Sequence, residues 1–413
     1  MGIQFWHGLQ QGPILNEFRG IVDKWNQSQT EYRVELKDFK DYGAPANEAL
    51  SVAPNEQPSL VLAPEFMTGK MMTACGEKKV IPIKKLIDEK HLQKIANLVK
   101  FTFGDKEGNL FSLPFNPACG VIFTNKELMK LTGKGENYVP KSMEELEEVC
   151  KWLLSNNLVD AGYTCAWPAA YLVEVPATQQ NYPLVVPENG RLVYGEYQLS
   201  QEWLKKHFLD LRKQAKEHVF VYAGKDNNSR IPFIQRKVAF YMQGSTHYST
   251  IQNEDNQSAK PFEVGCGPLP TLTRGQKEKD KYAFPLGGAA IWVIDNPNTT
   301  KMAEGVRSFL NYLLSEDVQE RWHKQTAYVP ALSDLPKKLE DYYRDHPLHK
   351  AVVAQTLEAA IGNYSFGVQA PNYAEARKEM FDLIEKILNL DTPDEQVSIL
   401  LKEFDAKFSL QQK

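Results

Sequence analysis

Three loops in this chain border strand-like runs and carry residues that can hold a polar ligand. Glu65 follows Ser59-Leu60-Val61-Leu62-Ala63, Ser245 follows Val238-Ala239-Phe240-Tyr241-Met242 and Gly244, and Gly287 stands in Leu286-Gly287-Gly288-Ala289 ahead of Ile291-Trp292-Val293. Ligands of open α/β sheets gather at such strand ends, where free N–H groups point outward. A carboxylate at Glu65 accepts charge-assisted hydrogen bonds from sugar or glycerol hydroxyls. A hydroxyl at Ser245 with neighbouring amides suits a phosphate, and glycines let backbone amides come close to a ligand. This is chemistry of recognition. Each residue also has a purely structural reading: Glu65 as an acid favoured at a helix N-terminus, Ser245 as an N-cap, the diglycine as a turn.

Catalytic signatures are absent: there is no His-Glu-x-x-His, no Gly-x-Ser-x-Gly, no phosphate loop ending in Gly-Lys-Ser/Thr and no Gly-x-Gly-x-x-Gly. The eight histidines are scattered, and His7 and His323, each beside a tryptophan, read as structural. No enzyme is expected, although a spatial pair of carboxylates leaves no trace in sequence. The five cysteines (Cys75, Cys119, Cys150, Cys165, Cys266) are odd in number and contain no Cys-x-x-Cys pair, so at least one thiol is free. Neither a metal site nor a cofactor is expected. Cys150 shares an apolar helical stripe with Leu146, Val149 and Leu153, behind Ser142 as cap and Glu145 three residues on, and reads as a core residue.

The elements that must position these loops alternate. Strand-like runs are separated by helices of ten or more residues, which predicts an α/β chain with largely parallel sheets. One helix carries Ile14, Phe18, Ile21, Val22 and Trp25 on one face; another carries Val306, Phe309, Leu310 and Leu313 and leads into the turn Trp322-His323-Lys324-Gln325-Thr326-Ala327-Tyr328-Val329-Pro330. Proline biases Val329 toward extended backbone, so Tyr328 has a fixed exit point. From Tyr373 onward, Ala376, Met380, Leu383, Ile384 and Ile387 repeat at helical spacing. A chain of 413 residues exceeds one ordinary core and fits two lobes of roughly 200 residues. With 48 basic against 52 acidic residues, net charge −4 and no basic cluster, nucleic acid is not an expected partner. No run of about 18 apolar residues occurs.

Phe5-Trp6-His7, Pro114-Phe115-Asn116 followed by Val121-Ile122-Phe123, Gly287-Gly288-Ala289 and Trp322-His323 before Tyr328-Val329-Pro330 recur in an order and spacing that resemble the extracellular solute-binding proteins of ABC importers, in particular the branch that binds sn-glycerol 3-phosphate. The resemblance covers essentially the whole chain. It implies an α/β, bilobal periplasmic-binding-protein fold of type II-like form, two α/β lobes joined by a multi-strand hinge with the ligand cleft between them. Residues 1–113 with about 268–326 would form one lobe, and 114–267 with about 327–413 the other. Crossings are expected near Leu113–Asn116, near Gly265-Cys266-Gly267-Pro268, where glycines absorb rotation and proline fixes the exit, and just before Tyr328. The expected partners are a small solute and the membrane subunits of a transporter, the expected state a monomer, and the expected location the periplasm or another extracytoplasmic space. Met1-Gly2 then reads as a start left after removal of a leader.

By the same resemblance the ligand positions are Tyr42, Glu65, Ala118, Trp167, Ser245, Gly287, Tyr328 and Gln369. Tyrosine hydroxyls and aromatic faces would meet the mixed surface of a small polyol or phosphodiester, although any one of these aromatics equally fits a core. Three departures bear on the ligand. Ala118 stands where the relatives carry a serine, Ala170-Tyr171 where a second tryptophan is expected after Trp167, and Gln369 where glycerol-phosphate binders carry an arginine. Glutamine cannot supply the guanidinium fork that holds a phosphate dianion. Arg377 or Lys378 stands in if the alignment slips. The expected ligand is therefore glycerol 3-phosphate or a glycerophosphodiester, with two alternatives: a small saccharide, or a degenerate cleft that acts through a protein partner.

Overall fold

The computed structural model describes residues 2–10, 12–191, 193–257, 260–272 and 283–409. Met1 and residues 273–282 of the expected first lobe lie outside the described residues. The chain opens with strand β1 (Gly2–His7) and a helix, Pro13–Gln27, whose proline sits in the first turn where no N–H is needed. Leu15, Phe18, Ile21, Val22 and Trp25 of that helix are buried, one stripe against the sheet. Strands β2 (Arg33–Asp38), β3 (Leu60–Pro64), β4 (Val80–Ile81) and β5 (Leu113–Ala118) follow. After a single residue, Cys119, the chain enters a second sheet with β6 (Gly120–Asn125), β7 (Tyr163–Cys165), a small hairpin β8 (Val185–Val186) and β9 (Glu196–Tyr197), then β10 (Phe240–Gly244) and β11 (Val264–Pro268). Strand β12 (Gly287–Ile294) returns to the first sheet.

The first sheet runs β2-β1-β3-β12-β4, with β5 paired to β12, and the second runs β11-β6-β10-β7. The sheets are mixed, not largely parallel as the alternation suggested. β1/β2, β1/β3 and β10/β7 are parallel, whereas β12 runs antiparallel to β3, β4 and β5, and β6 antiparallel to β10 and β11. A strand that arrives from the other sheet lacks the helical return that makes a parallel neighbour, and β6 and β12 are those strands.

The passages between sheets also differ from expectation. β5 stays in the first sheet through Ala118, so the first passage falls at Cys119 and not at Leu113–Asn116. After Tyr328 the chain stays beside the first sheet's helices, because Ala96 N donates to Ala331 O (2.8 Å) and Ser333 N to Lys94 O (2.9 Å). The third passage therefore lies beyond Ser333, before helix Pro347–Thr356, which packs on β11. Trp322 and His323 belong to a second helix, Glu316–Thr326, and the turn proper begins at Ala327, whose φ of 57° is left-handed. Helices Tyr373–Leu388 and Asp394–Ser409 pack with the core of the second sheet. Cys150 is fully buried beside Leu146, Val149 and Leu153, Ser142 Oγ accepts from Glu145 N, and all five cysteines are unpaired. Among the described residues no helix is long and apolar enough to cross a membrane.

Candidate functional site

A cavity of about 560 Å³ opens where the passages between the sheets meet. Tyr42, Glu65, Ala118, Trp167, Gly287 and Tyr328 all line it. Sequence separations of up to 286 positions (328 − 42) are thus brought to one surface by two sheets facing each other.

The passage segments are bonded to one another. Ser245 N donates to Cys119 O (2.9 Å), Ser245 Oγ to Ala327 O (2.7 Å), and Val329 N to Pro117 O (2.7 Å). Ser245 is fully buried and does not line the cavity. The expectation that its hydroxyl faces a ligand is therefore corrected: the hydroxyl is spent on the backbone of the Tyr328 turn. Nor is Ser245 an N-cap, since that position belongs to Gly244 and the short 3₁₀ turn Ser245–His247 has no side-chain cap. Gly288 has φ +89°, and a Cβ there would lie 2.1 Å from Asn116 O. Gly288 is required by the close β5/β12 approach, and both Gly287 and Gly288 line the cavity.

Tyr328 is held from behind. Its ring stacks on Trp322 at 5.4 Å and 9°, and Trp322 stacks on Phe115 at 4.8 Å. His323 Nδ1 bonds Tyr328 O and its Nε2 bonds Tyr343 OH (3.1 Å). Burial pushes the His323 pKa down to about 3, so the ring is neutral and donates from one nitrogen while accepting at the other. The Tyr328 and Tyr42 hydroxyls bond each other, and Asn116 Nδ2 donates to Tyr42 OH (3.2 Å). Trp167 takes a left-handed φ of 44°, a strained conformation for a bulky residue that aims its ring at the cavity.

Gln369 does not reach the cavity either. It is 1% exposed, accepts from Arg191 Nε at 2.9 Å and donates to Thr102 O at 2.6 Å. Arg191 packs against the rings of Phe101 and Phe366 and donates to Phe101 O, so Gln369 completes the buried hydrogen bonding of the arginine. The carry-over of Gln369 as a ligand contact is corrected on these grounds.

Eight residues further on, in helix Tyr373–Leu388, Arg377 does line the cavity, as do Glu174 and Tyr373. Arg377 Nε and Nη2 bond Glu174, and Nη2 lies 4.0 Å from Glu65 Oε1. Tyr373 OH donates to Glu174 Oε1 (2.6 Å). Burial opposes the Arg377 charge, but Glu174 and Glu65 hold its pKa above the ordinary value. Burial raises Glu65 to about 7, with Arg377 opposing and Glu174 reinforcing the rise. Glu174 ends a π-helical turn, Ala170–Glu174, a local widening common at functional sites. A signal for these residues existed: Tyr373 and Arg377 are four apart, hence on one helix face, and Glu174 is a lone carboxylate in the apolar run Tyr171-Leu172-Val173-Glu174-Val175. At the other end, Arg230 binds Glu254 through two bonds (2.6 and 2.7 Å), and burial brings His247 down to about 4.

Two sheets with their helices, joined by strands and bordering an aromatic-lined cavity at the junction, are the architecture of a receptor for a small solute. A profile described as bacterial extracellular solute-binding protein matches residues 20–351. The chain belongs to that family, and it acts as the solute-binding protein of an ABC importer. It is similar to the sn-glycerol-3-phosphate-binding periplasmic protein UgpB of Yersinia pestis bv. Antiqua, 25% identical over 419 residues and covering 98% of this chain and 93% of the relative. UgpB of Brucella melitensis biotype 1 is 22% identical over 400 residues, covering 94% and 88%. Among solved structures, UgpB from Mycobacterium tuberculosis in complex with glycerophosphocholine has TM-score 0.76 at 15% identity, covering 99% of this chain and 98% of that one. The GacH receptor of Streptomyces glaucescens, solved unliganded and with acarbose, has TM-score 0.77 at 14% identity, covering 100% and 99%.

Proposed function

We propose that this receptor captures a glycerophosphodiester in the cavity and presents it, outside the cytoplasmic membrane, to the membrane subunits of its importer, without catalysing any reaction on it. The observation that carries this reading is the state of Arg377. Two guanidiniums line the cavity: Arg230 is taken up by Glu254, and Glu174 already neutralises Arg377 while Glu65 stands beside it. A phosphate dianion gains little from a pair with no surplus positive charge, whereas a singly charged diester loses less on leaving water. The volume of about 560 Å³ also leaves room for a second head group beyond glycerol. Tyr42, Glu65, Ala118, Trp167, Gly287 and Tyr328 are the proposed contacts, with Arg377, Glu174 and Tyr373 added.

The proposed lobes are residues 2–118 with β12 and the helices through Thr326, and 120–268 with the C-terminal helices. A solute that touches both favours the closed form by its differential contacts, and the population shift is the signal to the transporter. A saccharide is the second reading, favoured by the Glu65 and Glu174 carboxylates set among aromatic faces, a combination that suits sugar hydroxyls and C–H surfaces. Titration calorimetry of ligand-stripped protein with glycerophosphocholine, sn-glycerol 3-phosphate and maltose tests both. Micromolar binding of the diester with weaker monoester supports the proposal; binding of maltose alone replaces it with the saccharide reading.

A further inference from the structure

We propose that Asn227, Arg230, Thr246, His247 and Thr250 form a subsite for the second alcohol of the diester, and that this subsite takes an uncharged polyol in preference to a quaternary ammonium. The inference rests on the reading above that the solute is a glycerophosphodiester, and it names the class of its head group.

Three segments beside the second sheet meet here: the turn Asn227–Arg230, the end of β10 at Gly244, and the turn Ser245–His247 with the helix Tyr248–Asn256 that follows it. All five residues line the cavity. Gly244 lies among them: a Cβ there would find His247 Nδ1 at 3.7 Å, Thr246 Oγ1 at 3.8 Å and the Tyr171 hydroxyl at 3.9 Å as its nearest neighbours, so the missing side chain leaves a space ringed by polar atoms. Ala166 N donates to Met242 O (2.9 Å), which sets Trp167 beside the same strand end. The polar groups of this wall are only partly used. Asn227 Oδ1 accepts from Gln243 Nε2 (3.0 Å), while Asn227 Nδ2 and the Thr250 hydroxyl have no partner among the described residues. A guanidinium carries five N–H donors; Arg230 places two on Glu254 and one on Asn227 O (2.6 Å), which leaves two. Each hydroxyl of a polyol both donates and accepts, and so matches such a wall. A trimethylammonium group makes no hydrogen bond, and its methyls would strip water from these groups without replacing it.

Charge does not favour the ammonium either. Glu254 and Asp226 act on Arg230, but neither lines the cavity, and the carboxylates that do among the described residues, Glu65 and Glu174, both stand beside Arg377. The cavity therefore meets the arginine's side of the Arg230–Glu254 pair. His247 already feels that side, since burial and Arg230 together keep its ring neutral near pH 7. A cation seated next to His247 meets the same field. Trp167 attracts cations, but repulsion from Arg230 is of the same order, so the ring confers no advantage on the ammonium, whereas its face covers the C–H surface of a polyol.

The test is calorimetry with glycerophosphoglycerol and glycerophosphocholine, which differ only in the head alcohol, on the wild type, Arg230→Gln, Arg230→Lys and Thr250→Val. The wild type should bind glycerophosphoglycerol at least about tenfold more tightly than glycerophosphocholine. Arg230→Gln removes the positive charge and leaves Glu254 behind it, so the ratio should move at least about tenfold toward the choline ester, while Arg230→Lys should hold it near wild type. Thr250→Val keeps the shape and removes the hydroxyl, and should weaken glycerophosphoglycerol about 3- to 10-fold more than glycerophosphocholine. A wild type that prefers the choline ester or treats the two alike overturns the subsite, as does a ratio that either Arg230→Gln or Thr250→Val leaves unchanged. Should Arg230→Gln not fold, Thr250→Val alone decides. If the wild type binds maltose and neither diester, the diester reading fails by itself. The polyol subsite then requires Thr250→Val to weaken maltose about 3- to 10-fold, and an unchanged maltose affinity, or binding of none of the three probes, refutes it as well.

Discussion

Replacing Gln369 with leucine separates the two roles this position could have. Leu fills a similar volume without hydrogen bonds, so the change removes two contacts and opens little space. The bond from Arg191 Nε (2.9 Å) is charge-assisted and worth about 1.5–3 kcal/mol; the bond to Thr102 O (2.6 Å) is neutral and worth about 0.5–1.5 kcal/mol. Gln369→Leu should therefore cost about 2–4.5 kcal/mol of stability. Arg191 keeps its bond to Phe101 O and its two ring contacts, so the loss should stay local. Urea unfolding followed by tryptophan fluorescence gives the stability, and calorimetry with the bound solute gives the affinity. The expected result is a lowered midpoint with unchanged slope and a Kd within about threefold of wild type. An unchanged midpoint together with affinity reduced more than about tenfold would put Gln369 back among the ligand contacts and refute the reasoning.

Glu65 makes stability depend on pH with a defined sign. Its folded pKa, about 7, lies above the ordinary 4.5, so the unfolded chain releases this proton first and stability falls as pH rises from 4.5 to 7, by about 3 kcal/mol in all. Unfolding at pH 5 and pH 8 should show this loss in wild type and a smaller one in Glu65→Gln. Tyr328→Phe keeps the stack on Trp322 but removes the hydroxyl bonded to Tyr42; affinity should fall about 5- to 10-fold while stability changes by under about 1 kcal/mol. Tyr328→Ala is the poorer probe, because deleting a buried ring that is 6% exposed should itself cost about 3–5 kcal/mol in the same unfolding assay. Gly288→Ala forces a methyl to 2.1 Å from Asn116 O at a positive φ, and thermal unfolding should show a loss of at least about 3 kcal/mol or no folded protein.

Much of this protein was readable before any coordinates. Apolar periodicity placed the helices Pro13–Gln27, Met143–Ser155, Ala303–Leu313 and Tyr373–Leu388, because a buried stripe at helical spacing is written in consecutive residues. The run of motifs from Phe5-Trp6-His7 to Tyr328-Val329-Pro330 carried the family, and six of eight proposed contacts do line one cavity. The misses share a cause. Ser245 and Gln369 have the residue types of ligand contacts, but which way a side chain turns, and which backbone atom takes its hydrogen bond, is settled by segments more than 80 and more than 170 positions away, at Ala327 and at Arg191. Sheet direction failed for the same reason, since a strand's neighbour depends on where the chain has been and not on its own residues. Arg377 was visible only as a fallback, and its pairing with Glu174 and Glu65 joins three separate stretches of chain. The sequence alone determined the α/β elements and the family, because these rest on local pattern. Only the tertiary structure decided the charge of the cavity, because that charge is a sum over groups brought together by the crossing of the chain between two sheets.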